Sequence, residues 1–464
     1  MLSPGRYVPD STAGIDNPND LPAPIIQKRS RNRKRCKCPH CGYLARRHDI
    51  RERPLHHIGD SHSGRPIEII LVHSIHYCCK CKTYFNIDTT DIADPGSHYT
   101  KQVVDLAIRF VAEDGSPYRD ACWRLWRDHR VFVPFATIQN WVEAAGKKMY
   151  SKIESDEYFD WAFENFSGYV ATDEVYDGPF CILYLVDNRT YKKLMYRVLD
   201  KSPTSADILA LLRAFRQILE QRTLALRGIT TDGATLYTEP VKTVFPGVRH
   251  QICEFHVKKE INNAILKAVA QIRRELAQTK TKLKRGRPST KEEKAAVRRN
   301  ERIQAKITAL FDNRFLFVQK DLTASEWKTF RKMTRGFPEL RKLREMVDLV
   351  YGLYDRRCKR STALAKLQKL RKKLRRFDWL SDVLKKIESP TVERSLLFLD
   401  DKKLPSTSNA VERGNRRFRK MQKTVYRVRT FENISNRIAM DMFRDLYLPI
   451  RYQTIQSLHQ ARAG

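Results

Sequence analysis

Six of the ten cysteines fall between residues 36 and 81, and that crowding constrains the chain more than any other feature. They form two groups, Cys36-Lys37-Cys38-Pro39-His40-Cys41-Gly42 and Cys78-Cys79-Lys80-Cys81, separated by a hairpin-like stretch that contains the strand-like Ile67–Val72. The first residues lack the charged-then-apolar pattern of a secretory leader, so the expected compartment is reducing. Close pairing there points to thiolate–metal chemistry rather than disulfides. Two C-x2-C units can present four thiolates to a tetrahedral Zn²⁺, with backbone amides of each short loop capping the sulfurs. We assign Cys38, Cys41, Cys78 and Cys81 to one structural Zn²⁺ in a zinc ribbon. Cys36, Cys79, His40, His73 and His76 remain alternates, and coincidental free thiols are the competing reading.

Charge supplies the partner class. The 464 residues carry 88 Lys+Arg against 53 Asp+Glu, a formal charge of +35. Such a chain is read as the partner of a polyanion, with nucleic acid foremost. A 41% hydrophobic fraction excludes global disorder. The longest apolar run, Phe180 to Val186, falls far short of the roughly 18 residues of a membrane span, so no membrane partner is expected. Residues 1–27, punctuated by Pro4, Pro9, Pro18, Pro22 and Pro24, read as a flexible tail. Residues 28–98 read as a basic arm followed by the ribbon. Lys34 and Arg35 of that arm are candidate phosphate contacts, against the alternative of a solvated arm without a specific role.

Residues 99–165 turn helical. Val103, Leu106, Ala107 and Phe110 make an apolar stripe at helical spacing, and Ser116 is a candidate cap for a second helix carrying Ala121, Cys122, Leu125 and Trp126. After Val131-Phe132-Val133-Pro134 a third helix opens on small polar residues, the layout of a helix-turn-helix. Thr137, Gln139 and Asn140 would then face base edges. An ordinary three-helix subdomain is the alternative, and Trp126 and Trp141 are read as core.

From residue 166 the rhythm becomes that of strands. Gly168–Val175, Phe180–Asn188 and Tyr191–Leu199 are β-rich runs, followed by a helix over Ser205–Gln221 and a short strand over Leu226–Thr231. Three antiparallel strands, a helix, then parallel strands separated by a helix is an RNase H-like order, with the first and fourth strands adjacent. We therefore expect a multidomain α+β protein with an RNase H-like α/β core over residues 166–262 and 404–464, interrupted by an all-α insertion over 263–403. Asp173 and Asp232, each near a strand end, would deliver hard oxygen ligands to one sheet edge. Glu412 is the candidate third acid. Asn409, Glu412, Arg416 and Arg419 share one helical face behind Thr407 or Ser408 as cap, placing guanidinium donors beside a carboxylate. A surface helix with Glu412 paired to Arg416 competes with that reading. Asp177 is read as a turn residue.

In the insertion, Ile265, Val269, Ile272, Leu276 and Leu283 suggest a heptad-like seam, packed internally or on a second protomer. Lys284-Arg285-Gly286-Arg287-Pro288 has an AT-hook-like core whose Arg285 and Arg287 could enter a narrow minor groove; a chance loop is equally open. Arg341–Leu374 reads as a basic amphipathic stretch that either tracks phosphates or is solvated. Trp327 and Trp379 are read as core.

Taken together, Thr172-Asp173-Glu174, Thr231-Asp232-Gly233, Cys253-Glu254-Phe255-His256 and Ser408-Asn409-Ala410-Val411-Glu412-Arg413 resemble the signature of DDE transposases. With the zinc ribbon and helix-turn-helix ahead of them, the chain is most similar to the ISL3-type insertion-sequence transposases, over roughly residues 36–445. The resemblance implies that Asp173, Asp232 and Glu412 are catalytic and bind two Mg²⁺ or Mn²⁺ ions. Cys253 and His256 match the family's C-x2-H pair, structural or close to DNA. It further implies double-stranded DNA partners (terminal inverted repeats and target DNA), a homodimer or larger assembly on DNA, and a cytoplasmic, nucleoid-associated protein. Strand cleavage and transfer at the ends of its element is the expected activity. A non-catalytic DNA-binding regulator derived from a transposase, or another RNase H-like nuclease, is the alternative.

Overall fold

A computed structural model describes residues 14–15, 17, 19–60, 62–153, 156–283, 285–424 and 430–463. Pro4, Pro9 and Pro18 of the tail and Lys284 of the hook-like loop lie outside the described residues. The fold is mixed α+β, with two five-stranded sheets. It divides into two compact units, residues 1–162 with 415–464, and residues 163–414.

In the first unit, β1 (Ile25–Arg31), β2 (Arg35–Lys37), β3 (Leu44–Asp60), β4 (Arg65–Cys78) and β5 (Thr83–Asn86) form a sheet in the order β1-β4-β3-β2, with β5 also on β4. Long β3 and β4 pair antiparallel as one hairpin, with register shifts at Arg47/Asp49 and His57/Asp60 that mark bulges. The basic stretch that reads as an arm is therefore partly strand. Ile25 through Arg31 pair in parallel with Ile67 through His73, because Ile25 and Gln27 alternate with exposed neighbours and suit a half-buried edge. Lys34 and Arg35 are exposed just beyond it.

The helices α1 (Lys101–Ala112), α2 (Tyr118–His129) and α3 (Phe135–Ile153) pack around Val103, Ala107, Phe110, Ala121, Leu125, Ile138 and Val142, with Trp141 against them; α4 (Asp156–Phe163) follows. Ser116 does not cap α2. Its amide closes the preceding turn on the Phe110 carbonyl, and Pro117 occupies the cap position with its fixed φ.

The second unit carries β6 (Tyr169–Asp177), β7 (Phe180–Asp187), β8 (Lys193–Leu199), α5 (Ser205–Gln221), β9 (Gly228–Thr231), α6 (Thr238–Val244) and β10 (Arg249–Ile252). The sheet order is β10-β9-β6-β7-β8, parallel from β10 to β6 and antiparallel thereafter. Burial of β7 at nearly every position shows that both faces of the sheet are covered there. A Thr204/Asp207 capping box starts α5.

Helices follow: α7 (Glu254–Gln278), α8 (Lys291–Asp312), α9 (Ala324–Met333), α10 (Pro338–Leu353), α11 (Arg360–Leu374), α12 (Ser381–Glu388) and α13 (Pro390–Arg394). Their core is continuous with Tyr169 and Ile252 of the sheet. Ile265, Val269, Ile272 and Leu276 pack into it, so the heptad-like seam is intramolecular; Leu283 lies beyond the end of α7 and is exposed. The stretch Arg341–Leu374 is two helices rather than one phosphate-tracking face. Arg344 is buried and donates to the Leu316 and Lys320 carbonyls and to Asp348, while Arg371 donates to Ile387 and Glu393. A guanidinium fork satisfies several carbonyls at once, which is how two cations come to be buried among leucines.

The chain closes with α14 (Asn409–Thr424) and α15 (Phe431–Ala463). Where the sequence reading groups residues 404–464 with the core, residues 415–464 fold with the first unit. There α15 packs along α3, and Arg417 is ion-paired to both Asp441 and Asp445.

Candidate active site and metal centre

The β3–β4 hairpin brings its two cysteine turns together at one end. Cys38 Sγ lies 3.5 Å from Cys81 Sγ, Cys41 Sγ lies 3.5 Å from Cys78 Sγ and 3.7 Å from Cys81 Sγ. Four sulfurs around a Zn²⁺ at about 2.3 Å would be separated by roughly 3.8 Å, so the cluster matches a tetrahedral site and could hold zinc. Electrostatics agree, because four thiolates cannot coexist here without a cation. Burial opposes ionisation of Cys38, but the His40 and Cys41 amides outweigh it and bring the thiol down to about 6. At Cys41 the Tyr43 amide favours the thiolate, yet burial and the three neighbouring sulfurs push it up to about 12. The alternates stand apart: Cys79 and His40 are exposed, and His76 Nε2 donates to the Arg33 carbonyl at 3.1 Å.

In the second unit, register sets the acidic site. Tyr169, Val170 and Ala171 of β6 pair in parallel with Gly228, Ile229 and Thr230 of β9. Continuing that register by two residues puts Asp232 opposite Asp173. Gly233 then turns the chain at φ +101°, where a Cβ would meet Ile252 at 2.9 Å, and the Ala234 amide fixes one Asp232 oxygen at 2.8 Å. Carboxylate oxygens of Asp173, Glu174 and Asp232 all lie within 4.8 Å of one another. Burial and then the Asp232 charge raise Asp173 to about 6 and Glu174 to about 7. Such a group of hard oxygens could bind a divalent cation.

Glu412 stands one turn into α14, outside that tight trio but close enough for its charge to raise Asp173 further. The approach to α14 is laced to the sheet. Asn188 Nδ2 donates to the Thr407 carbonyl at 3.1 Å, the Glu254 amide to the Ser406 carbonyl at 2.9 Å, and the Thr230 hydroxyl to the Pro405 carbonyl at 3.4 Å. Buried Cys253 joins this brace at the start of α7. Burial opposes its ionisation, but contacts with His256 and Ser408 prevail and lower it. The Cys253 contact in turn raises His256, whose charge also favours ionised Asp173.

Residues 197–438, just over half of the chain, match the family model described as a transposase of the ISL3-type DDE group. The chain belongs to the ISL3-type DDE transposase family. A comparison with curated proteins finds no match. The family match spans Asp232, Cys253, His256 and Glu412 but begins after Asp173 and Glu174, which the fold brings beside Asp232.

The other candidate residues of the transposase are dispersed. On α3, Asn140 is exposed and Thr137 half-buried, while the Gln139 amide is engaged with Glu143 Oε1 at 2.9 Å. Arg285 and Arg287 are exposed between α7 and α8. Along α14, Asn409, Arg416 and Arg419 are exposed, but Arg413 stacks on Tyr191 at 4.6 Å. No helix among the described residues is long and apolar enough to cross a membrane. Sequence reasoning gave Glu174 no role; the available signal was a second acid adjoining the first between the apolar Val170-Ala171 and Val175 of the strand.

Proposed function

We propose that this transposase cleaves DNA at the ends of its mobile element and transfers the freed strand to target DNA, using Asp173, Asp232 and Glu412. The observation that carries the reading is the meeting of Asp173 and Asp232 at one sheet edge, where the β6–β9 register, continued two residues past Ala171 and Thr230, sets them opposite and their carboxylate oxygens lie within 4.8 Å. A pair of Mg²⁺ or Mn²⁺ ions bound there would supply Lewis acidity on the phosphate oxygens. Asp173 and Asp232 would hold those cations at the sheet edge where the phosphate must approach. Glu412 adds the third carboxylate from a helix whose start is tied to the sheet, so its distance from the aspartates is set by the brace at residues 405–408. Positioning of this kind is worth several powers of ten in rate.

The cysteine cluster would hold one structural Zn²⁺ in a ribbon. Lys34 and Arg35 beside it, and the α2–α3 pair acting as a helix-turn-helix through Thr137 and Asn140, would select the end sequence. Gln139 would need to leave Glu143 to read a base. Arg285, Arg287, Asn409, Arg416 and Arg419 would contact the flanking backbone or minor groove. Pairing two ends requires at least a homodimer on DNA. With a labelled element end and Mg²⁺, Asp232→Ala should lose at least a thousandfold in cleavage and strand joining while binding the end as wild type does. Cleavage at the wild-type rate would remove Asp232 from the active site, and the regulator reading would gain if wild type binds ends but never cuts them.

A further inference from the structure

The sheet carries one acid more than a three-acid site requires. Glu174 lies within β6, directly across from the buried Leu183 of β7, and is itself half-buried between Asp173 and the buried Val175. No turn, cap or ion pair accounts for it. Its Oε1 is buried and lacks a hydrogen-bond partner among the described residues, although it sits within 4.8 Å of carboxylate oxygens of both aspartates. A second polar group stands beside it. Tyr237 is wholly buried, and its hydroxyl faces the Glu174 carboxylate and has no other partner among the described residues. Buried polar atoms are almost always paired, so an unpaired Glu174 oxygen beside two aspartates, backed by a buried hydroxyl, marks a place that something else completes.

We infer that Glu174 is a fourth carboxylate ligand of the divalent-cation site, oriented by the Tyr237 hydroxyl. This rests on the proposed reading that Asp173 and Asp232 hold a cation. A bound cation takes up the orphaned Oε1, and Tyr237 donates to the other oxygen, the arrangement by which outer groups orient metal-binding carboxylates. Tyr237 sits in the turn between β9 and α6, five residues after Asp232, so one short segment supplies both a ligand and the group that orients another. Hard divalent cations accept six or more oxygens, and an additional carboxylate suits them without displacing Glu412.

Mn²⁺ titration of the full-length protein, followed by electron paramagnetic resonance, tests this with Asp232→Asn, Glu174→Gln and Tyr237→Phe. Asp232→Asn should lose tight Mn²⁺ binding. Glu174→Gln, which keeps the side chain's shape, should weaken Mn²⁺ at least tenfold. Tyr237→Phe should weaken it about tenfold, the lower end of what an outer-shell partner contributes. Its metal-free melting temperature should stay unchanged, which a purely structural role for the hydroxyl would not allow. Wild-type Mn²⁺ affinity in Glu174→Gln, with binding lost in Asp232→Asn, would overturn the fourth-ligand assignment and leave the Asp173/Asp232 reading standing. Wild-type affinity in Asp232→Asn would overturn both.

Discussion

The cysteine cluster and the carboxylate cluster solve the same electrostatic problem in opposite ways. Each gathers ligands of like charge from distant parts of the sequence. The cysteines come from two short turns at one end of a single hairpin, with sulfurs 3.5–3.7 Å apart and Cys38 and Cys78 buried. Four thiolates fill a tetrahedron and leave no position open. The carboxylates, Asp173, Glu174 and Asp232, come from one strand and from the residue after another, and remain half-buried. A closed sulfur site contributes to folding, whereas an open oxygen site leaves room for substrate. On that contrast the fold should depend on the sulfur cluster and tolerate loss of the oxygen one.

The largest expected effect follows from that dependence. Cys81→Ser should reduce bound zinc from about one equivalent to nearly none and abolish cooperative melting of the first unit, since structural zinc contributes on the order of 10 kcal/mol to small domains. Asp232→Asn should keep its zinc and melt, without divalent cation, no lower than wild type. Metal analysis beside differential scanning calorimetry reads both. A Cys81→Ser protein that retains one equivalent would break the contrast at its stronger end.

The two clusters should also respond oppositely to pH. Asp173 and Glu174 titrate near 6 and 7 in the folded chain, raised first by burial and then by Asp232, against about 4 when unfolded. Their ionisation penalty is absent below about pH 4 and accumulates as pH rises through about 7. Without divalent cation, melting of wild type relative to Asp173→Asn should therefore fall by on the order of 5 °C between pH 4.5 and 7.5. Added Mg²⁺ should cancel that fall at pH 7.5. Zinc at the cysteine cluster should behave in reverse, released as acid protonates the thiolates. A wild-type melting profile parallel to that of Asp173→Asn across this range would show that the carboxyls are not strained together.

Much of this was legible before any coordinates, for definite reasons. C-x2-C spacing is local chemistry, so the four cysteines could be chosen from six. The run of strands and the helix over Ser205–Gln221 carried plain periodicity, and α5 spans those same residues. What failed was decided by tertiary contacts. The basic stretch at Lys28–Arg31 became strand because Ile67–His73 offered it an edge. Within Arg341–Leu374, read as either phosphate-tracking or solvated, Arg344 and Arg371 are neither, because buried carbonyls claim them. Glu174 was hidden by the rule that adjacent strand residues point to opposite faces; in the fold its carboxylate nonetheless lies within 4.8 Å of those of Asp173 and of Asp232, which follows the end of β9.

The smallest expected effect is the sharpest check on how the sulfur site is read. Cys79 adjoins Cys78 in sequence, yet it is exposed and takes no part in the group of four. Cys36 is likewise outside it, with its sulfur directed at the Lys37 carbonyl at 3.7 Å. Cys79→Ser should therefore keep a full equivalent of zinc and change stability by less than about 0.5 kcal/mol, as surface substitutions do. Alkylation followed by peptide mapping gives a second readout. In the zinc-loaded protein Cys79 should react with iodoacetamide well ahead of Cys38, Cys41, Cys78 and Cys81, because metal-bound thiolates are withheld from the reagent. Chelation should then bring those four into reach together, as expected for ligands that share one ion. Loss of zinc in Cys79→Ser would shift the second knuckle by one residue, and a strand that shifts by one turns every side chain to the other face. Cys78, wholly buried at the end of β4, would then have to exchange places with an exposed thiol, taking the buried His76 and Ser74 of the same face out of their packing with it.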